Sequence, residues 1–200
     1  TINIQIKVIM NNNLYKEQLI NQAFNFHSQG NIQEAIKHYQ SFINNGFKDY
    51  KVFSNYGAIL YGLGKFKEAK NCFLEAISLN PDFGDAHSNL GTLLRDLGDL
   101  KGAEISYRKA ISLNPDFADI HSNLGTLLRD LGDLKGAEVS YRKAIALNPN
   151  FVHSYYNLGT ILRDLGNLKE AELFTRKAIA LNPDFAFAHC NLGNILHDLG

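Results

Sequence analysis

The sequence has 200 residues, with 20 Lys and Arg, 20 Asp and Glu, and a formal net charge of +0. This balance excludes the basic surface that nucleic acids and anionic membranes select. With 45% apolar residues and only two Cys, the composition predicts a globular chain in a reducing compartment, and we expect a cytoplasmic location. No apolar run approaches the roughly 20 residues of a membrane span, and no signal peptide is recognisable.

The opening segment, residues 1–15, differs from the rest of the chain. Apolar and polar residues alternate from Ile2 to Val8, which is the period of a strand. Three interpretations are open: a disordered tail, an upstream extension before a start at Met10, or a stray edge strand. We favour the first two, because everything that follows has helical periodicity.

Residues 16–200 consist of an internal repeat with a period of 34 residues. The eighteen residues 87–104 recur letter for letter at 121–138. Residues 84–117 and 118–151 differ at only five positions. The predicted repeats, numbered 1 to 5, are 16–49 (degenerate), 50–83, 84–117, 118–151 and 152–185, and residues 186–200 form the first helix of repeat 6.

Each repeat is predicted to contain two helices. In repeat 4, packing residues recur three or four positions apart from His121 to Leu128. Gly132 then marks the end of the first helix, since Gly is common just past a helix end. Asp133 is expected to cap the second helix, and Pro149 ends it. The capping-box spacing occurs elsewhere at Asn31 with Glu34 and at Asn167 with Glu170.

This pattern resembles the tetratricopeptide repeat family, whose 34-residue unit is a helix–turn–helix. The resemblance covers residues 16–200 and implies an all-α, right-handed superhelical solenoid of helix–turn–helix repeats. It also implies a concave groove lined by the first helices. The matching residues are Leu90, Gly91, Gly98, Ala103, Tyr107, Ala110 and Pro115, with their equivalents in the neighbouring repeats.

Polar residues recur on the side of the first helix that faces away from its packing residues. The sixth position of every repeat is Asn, beginning with Asn21 in the degenerate repeat. The predicted groove residues are Asn55, Asn89, Asn123, Asn157 and Asn191; Thr92, Thr126 and Thr160; Arg95, Arg129 and Arg163; Asp96, Asp130 and Asp164; and Tyr156 near the C-terminal end.

An Asn carboxamide both donates and accepts hydrogen bonds, so a row of them suits the backbone of an extended peptide. The row resembles the Asn ladder of the tetratricopeptide superhelix of O-linked N-acetylglucosamine transferase. The alternative is that each Asn bonds to neighbouring backbone and sets the repeat spacing. Likewise, each Arg either clamps a ligand carboxylate or pairs with an Asp of an adjacent repeat. Aromatic residues near Tyr156 offer side-chain selectivity at the C-terminal end.

No catalytic or metal-binding constellation is evident, and no cofactor is expected. The His residues at the fourth position, His87, His121 and His189, belong to different repeats, too far apart for shared metal ligation. We therefore predict a module that binds a protein or peptide ligand, without nucleic acid or membrane. One alternative is the substrate-recruiting region of a larger glycosyltransferase-like or other transferase. Another is an assembly scaffold.

The last segment carries a separate expectation. Leu192, Leu196 and Leu199 lie on the packing side of a first helix whose second helix does not follow before Gly200. We expect the native chain to continue, or this helix to dock on another molecule, including a second copy of the chain. Exposed leucines on such a helix forgo about 1–3 kcal/mol of burial.

Overall fold

The computed structural model describes the backbone of residues 2–200 and the side chains of residues 12–200. The described residues form eleven α-helices and no strand. The helices are α1 Ile2–Ser28, α2 Ile32–Asn44, α3 Tyr50–Gly62, α4 Phe66–Leu79, α5 Gly84–Asp96, α6 Leu100–Leu113, α7 Ala118–Asp130, α8 Leu134–Leu147, α9 Val152–Asp164, α10 Leu168–Leu181 and α11 Ala186–Leu199.

The opening segment is helical, so the edge-strand interpretation is wrong. Helix α1 begins at Ile2 and runs without a break to Ser28. The spacing from Ile2 to Ile6 is four residues and that from Ile6 to Ile9 is three, which is a helical spacing. The apolar pattern of this segment therefore fits a helix as well as a strand. The division of residues 1–15 from the first repeat remains a prediction.

The chain separates into two compact parts, one up to Leu93 and one from Leu94 to Gly200. In the N-terminal part, α1 packs on α2, α2 on α3, and α3 on α4. In the C-terminal part, each helix from α6 to α10 packs on its successor in the chain. The first helices α7, α9 and α11 also contact one another in sequence order, which places them side by side.

The turn inside each repeat depends on a glycine in the left-handed region. Gly132 has φ of +82° and Gly166 has φ of +81°, values that other residues rarely adopt. The amide of Gly132 donates to the carbonyl of Arg129 at 2.9 Å, which closes the end of α7. The predicted helix end at this glycine is confirmed.

Some second helices begin with a side-chain cap and others do not. Asp133 accepts a hydrogen bond from the amide of Gly136 at 2.9 Å, as its position predicts. The predicted capping boxes are wrong, because neither Asn31 nor Asn167 makes a side-chain cap bond. Their glutamate partners form ion pairs instead: Glu34 with Lys37 at 2.6 Å and Glu170 with Arg142 at 2.7 Å.

The core of each of two repeats pairs a glycine on the first helix with a ring on the second. A Cβ on Gly125 would lie 2.9 Å from the Tyr141 ring, and one on Gly57 would lie 2.7 Å from the Phe73 ring. Tyr141 is fully buried, and so is Ala144, which lies one turn further along the same helix. The glycines therefore admit rings that an alanine would displace.

None of the described helices is long and apolar enough to cross a bilayer. Residues 12–200 also contain no group of three His, Cys, Asp or Glu side chains that could hold a metal. Both thiols are free: Cys72 is buried and Cys190 is exposed. Burial, followed by the charges of Glu68 and Glu75, raises the pKa of Cys72 to about 11.

Candidate binding face of the first helices

The sixth-position asparagines occupy three different environments. Asn21 is exposed on α1, and Asn191 on α11 is only 6% exposed. Between these extremes, Asn55, Asn89, Asn123 and Asn157 are half-buried. Identical residues at equivalent positions therefore do not form a uniform ladder.

Asn55 is engaged by the protein itself. Its side chain hydrogen-bonds Tyr39, whose hydroxyl also lies 3.1 Å from Nδ1 of His27. Burial raises the pKa of Tyr39 to about 12, and the bond from Asn55 acts in the opposite direction. Asn55 therefore satisfies a buried hydroxyl, which is the structural alternative of the sequence analysis.

Asn191 is engaged more fully. Its Oδ1 accepts from Nη1 of Arg163 at 3.2 Å, and its Nδ2 donates to the hydroxyls of Thr160 and Thr175 at 3.4 Å each. Thr175 is fully buried. Asn191 is thus part of a hydrogen-bonded network inside the protein, and its contact with a peptide stays a prediction.

Asn89, Asn123 and Asn157 differ from these two. Among the described residues, their side chains make no hydrogen bond. No buried side-chain polar atom in residues 12–200 lacks a partner, so these amides have polar atoms that reach solvent. In the C-terminal part, Asn123 and Asn157 lie on the adjacent helices α7 and α9.

The predicted threonines bond mainly within their own helices. Thr126 donates to the carbonyl of Ser122 at 3.2 Å, and its oxygen also lies 3.0 Å from the Tyr141 hydroxyl. Thr160 donates to the carbonyl of Tyr156 at 3.1 Å, and Thr92 donates to that of Ser88 at 3.2 Å. All three side chains are half-buried, and the Thr160 hydroxyl also accepts from Nδ2 of Asn191 at 3.4 Å.

Each predicted arginine pairs with the aspartate that follows it in sequence. The Arg95–Asp96 distance is 3.0 Å, that of Arg129–Asp130 is 3.2 Å and that of Arg163–Asp164 is 3.8 Å. The expected pairing with an aspartate of an adjacent repeat occurs at Arg163, whose Nε lies 3.9 Å from Oδ2 of Asp198. For Arg129, the ion pair with Asp130 is internal to its repeat.

Tyr156 belongs to an aromatic cluster at the C-terminal end of this face. Its ring meets Phe185 edge-to-face with centroids 5.1 Å apart, and His153 meets the same ring at 5.3 Å. Phe187 adds a third contact at 6.2 Å and is 69% exposed. Sequence reasoning missed Phe185, which precedes α11; the available signal was Phe151, which precedes α9 at the equivalent position of the previous repeat.

Helix pairs with left-handed glycine turns, recurring at a constant spacing, define an α-helical repeat protein. Models described as "TPR repeat" match residues 91–128 and 125–166, and models described as "Tetratricopeptide repeat" match 50–83, 72–105 and 153–185. The chain belongs to the tetratricopeptide repeat family. No protein with a curated description matches it in sequence.

Solved structures share this fold at low identity. MamA from Desulfovibrio magneticus RS-1 superposes with a TM-score of 0.74 at 19% identity, covering 86% of this chain and 97% of its own. YrrB, described as a TPR protein with an unusual peptide-binding site, gives 0.72 at 24%, covering 92% and 95%. A tetratricopeptide repeat protein from Parabacteroides merdae gives 0.76 at 20%, covering 94% and 74%.

Proposed function

We propose that this chain is a protein-interaction module that binds an extended peptide along the first helices of its C-terminal part. The observation that carries the proposal is the pair of half-buried carboxamides of Asn123 and Asn157, which make no side-chain hydrogen bond among the described residues. They lie on adjacent helices at equivalent positions. A peptide backbone supplies donors and acceptors for both amides.

Two further features support this proposal. The aromatic cluster around Tyr156 and Phe185 gives the same face a place for one apolar side chain of the peptide. The structural similarity to YrrB, whose own description includes peptide binding, is consistent with this use of the fold. We call the ion pairs Arg129–Asp130 and Arg163–Asp164 the charged rim of this face. The charged rim is expected to add little affinity.

The test compares two pairs of asparagine substitutions. Peptides selected from a random displayed library on the wild-type chain provide the ligands. We expect N123A/N157A to lower their affinity at least tenfold in calorimetry, with a melting temperature close to that of the wild type. The control is N150A/N167A, which removes two exposed amides from turns and is expected to leave binding unchanged.

Unchanged affinity in N123A/N157A would contradict the proposal. A large fall in melting temperature with full affinity in the folded fraction would assign both asparagines a structural role. Binding that is lost on raising the salt concentration from low to high would instead favour the charged rim over the amides.

A further inference from the structure

A pocket of about 470 Å³ opens between α6, α7 and α8, on a different face from the asparagines. We call it the His121 pocket. His121 and Asn123 are two positions apart on α7, which puts them on nearly opposite sides of that helix. The pocket is lined chiefly by Arg108, Ile111, His121, Leu124, Val139 and Lys143.

We call the contact between the second helix of one repeat and the two helices of the next repeat a junction, so the His121 pocket lies at the junction of repeats 3 and 4. The next junction, between repeats 4 and 5, holds aromatic rings at the equivalent positions. One repeat after His121 stands Tyr155, and one repeat after Ser140 stands Phe174. These two rings stack with centroids 6.0 Å apart at an angle of 30°, and Tyr155 is only 7% exposed. Ile145, the equivalent of Ile111, packs against the same cluster. The surrounding positions therefore suit a ring where repeat 4 has a serine.

The same junction also differs in its charges. Arg142 lies over the Phe174 ring at 5.2 Å and binds two carboxylates, Glu138 at 2.8 Å and Glu170 at 2.7 Å. Its equivalent, Arg108, binds Glu104 at 2.8 Å, and Gly136 stands at the position of Glu170. Arg108 therefore lacks both the ring and the second carboxylate that surround Arg142.

Two further groups shape the His121 pocket. Nε2 of His121 donates to the carbonyl of Pro115 at 2.8 Å, which fixes the imidazole against the wall. Lys143 is exposed at the rim and forms no ion pair among the described residues. Val139, 69% exposed, extends the apolar wall to the surface. The pocket thus combines an apolar interior with two cations, Arg108 and Lys143, at its edge.

We propose that the His121 pocket binds the aromatic side chain of a protein partner in which Asp or Glu flanks a Phe or Tyr. The ring takes the space that Phe174 occupies in the next junction. The carboxylate takes the part that Glu170 plays toward Arg142, placed against Arg108 and Lys143. This surface is independent of the asparagine face.

The probe is the acetylated and amidated pentapeptide EEFEE, with EEAEE and KKFKK as matched controls. Titration monitored by amide chemical shifts should move the signals of Ile111 and Val139 saturably with EEFEE. We expect EEAEE and KKFKK to bind at least tenfold more weakly. Absence of saturable shifts with EEFEE, or equal binding of EEAEE, would overturn the proposal.

Two protein variants test the pocket, and the first of them introduces the residues of the next junction. H121Y/S140F places the ring pair of Tyr155 and Phe174 into the pocket and should weaken EEFEE binding at least tenfold. K143E should weaken it at least threefold, and because Lys143 is exposed, this substitution leaves the buried side chains in place. Its matched control K177E, at the equivalent position of the next repeat, should leave the affinity unchanged.

Unchanged affinity in K143E, or in a folded H121Y/S140F, would refute this assignment. N123A/N157A separates the two surfaces and should leave EEFEE binding intact. Loss of binding in N123A/N157A would place the peptide on the asparagine face and overturn the pocket proposal.

Discussion

Two neighbouring core layers in the C-terminal part use the same asparagine position in opposite ways. We define the Tyr141 layer as Gly125, Tyr141 and Asn157, and the Thr175 layer as Gly159, Thr175 and Asn191. In the first, a fully buried ring faces the glycine and the asparagine makes no side-chain bond in the described structure. In the second, a threonine hydroxyl replaces the ring and the asparagine turns into the protein.

Within this pair of layers, the difference lies in the residue that the preceding second helix supplies. Where that helix supplies a bulky ring, the space beside the first-helix glycine is filled. Where it supplies Thr175, a polar partner is available, and Asn191 bonds it together with Thr160 and Arg163. In these two layers, the exchange of Tyr141 for Thr175 accompanies the change from an asparagine without a side-chain bond among the described residues to one bonded inside the protein.

The largest expected effect is the loss of the ring. Y141A should destabilise the chain by about 3–5 kcal/mol, because it opens a cavity beside Gly125. T175A should cost only about 1–3 kcal/mol, since it removes one hydroxyl partner of Asn191. Urea unfolding followed by circular dichroism measures both changes. Equal costs would mean that the two layers are energetically equivalent and would remove the basis of the comparison.

The second largest effect should be the difference in stability cost between substitutions of Asn191 and Asn157. N191A is expected to cost about 1–3 kcal/mol, because it leaves Arg163, Thr160 and Thr175 without a shared partner. N157A should change stability by less than about 0.5 kcal/mol. The midpoints of thermal unfolding give the ranking. A cost for N157A as large as that for N191A would show that Asn157 is structural.

A ring in the Thr175 layer should make Asn191 behave like Asn157. T175Y removes the hydroxyl that Asn191 contacts inside the core and restores the residue found at position 141. We expect N191A to cost about 1 kcal/mol less in the T175Y background than in the wild type. A double-mutant cycle in urea provides this coupling energy. Additive costs would show that Asn191 is held by Arg163 and Thr160 alone.

The smallest effect should appear in alkaline solution. Burial raises the pKa of Tyr141, with the bond to Thr126 acting in the opposite direction. A raised pKa in the folded state means that the stabilisation is complete below the ordinary value of 10.0 and declines as the pH rises beyond it. Unfolding midpoints between pH 8 and 11 should therefore fall less in Y141F than in the wild type. Parallel curves would exclude Tyr141 as the source.

The sequence predicted much of this fold because its signals are local and repeated. The turn at Gly132, the cap at Asp133 and the helix end before Pro149 depend on residues next to one another in the chain. The predicted capping boxes did not form, and Glu34 and Glu170 pair instead with Lys37 and with Arg142, which lies in another repeat. Local patterns do not report such competition.

The candidate site was less predictable for a related reason. The row of asparagines was visible in the sequence, but its division into bonded and open members depends on contacts between helices. Asn191 bonds Thr175, which stands on the preceding helix where Tyr141 stands one repeat earlier. The same holds for the His121 pocket, which became visible only because the rings of Tyr155 and Phe174 stack against each other in the next junction.

The contrast between the two thiols gives the chain a built-in attachment point. Cys190 is exposed on α11, next in sequence to Asn191, whereas Cys72 is buried with a pKa of about 11. At neutral pH, maleimide reagents should therefore couple to Cys190 alone, because Cys72 is buried and its raised pKa leaves it almost without thiolate, the reacting form. An environment-sensitive fluorophore placed there reports local opening of α11 in the unmodified sequence, without any engineered cysteine.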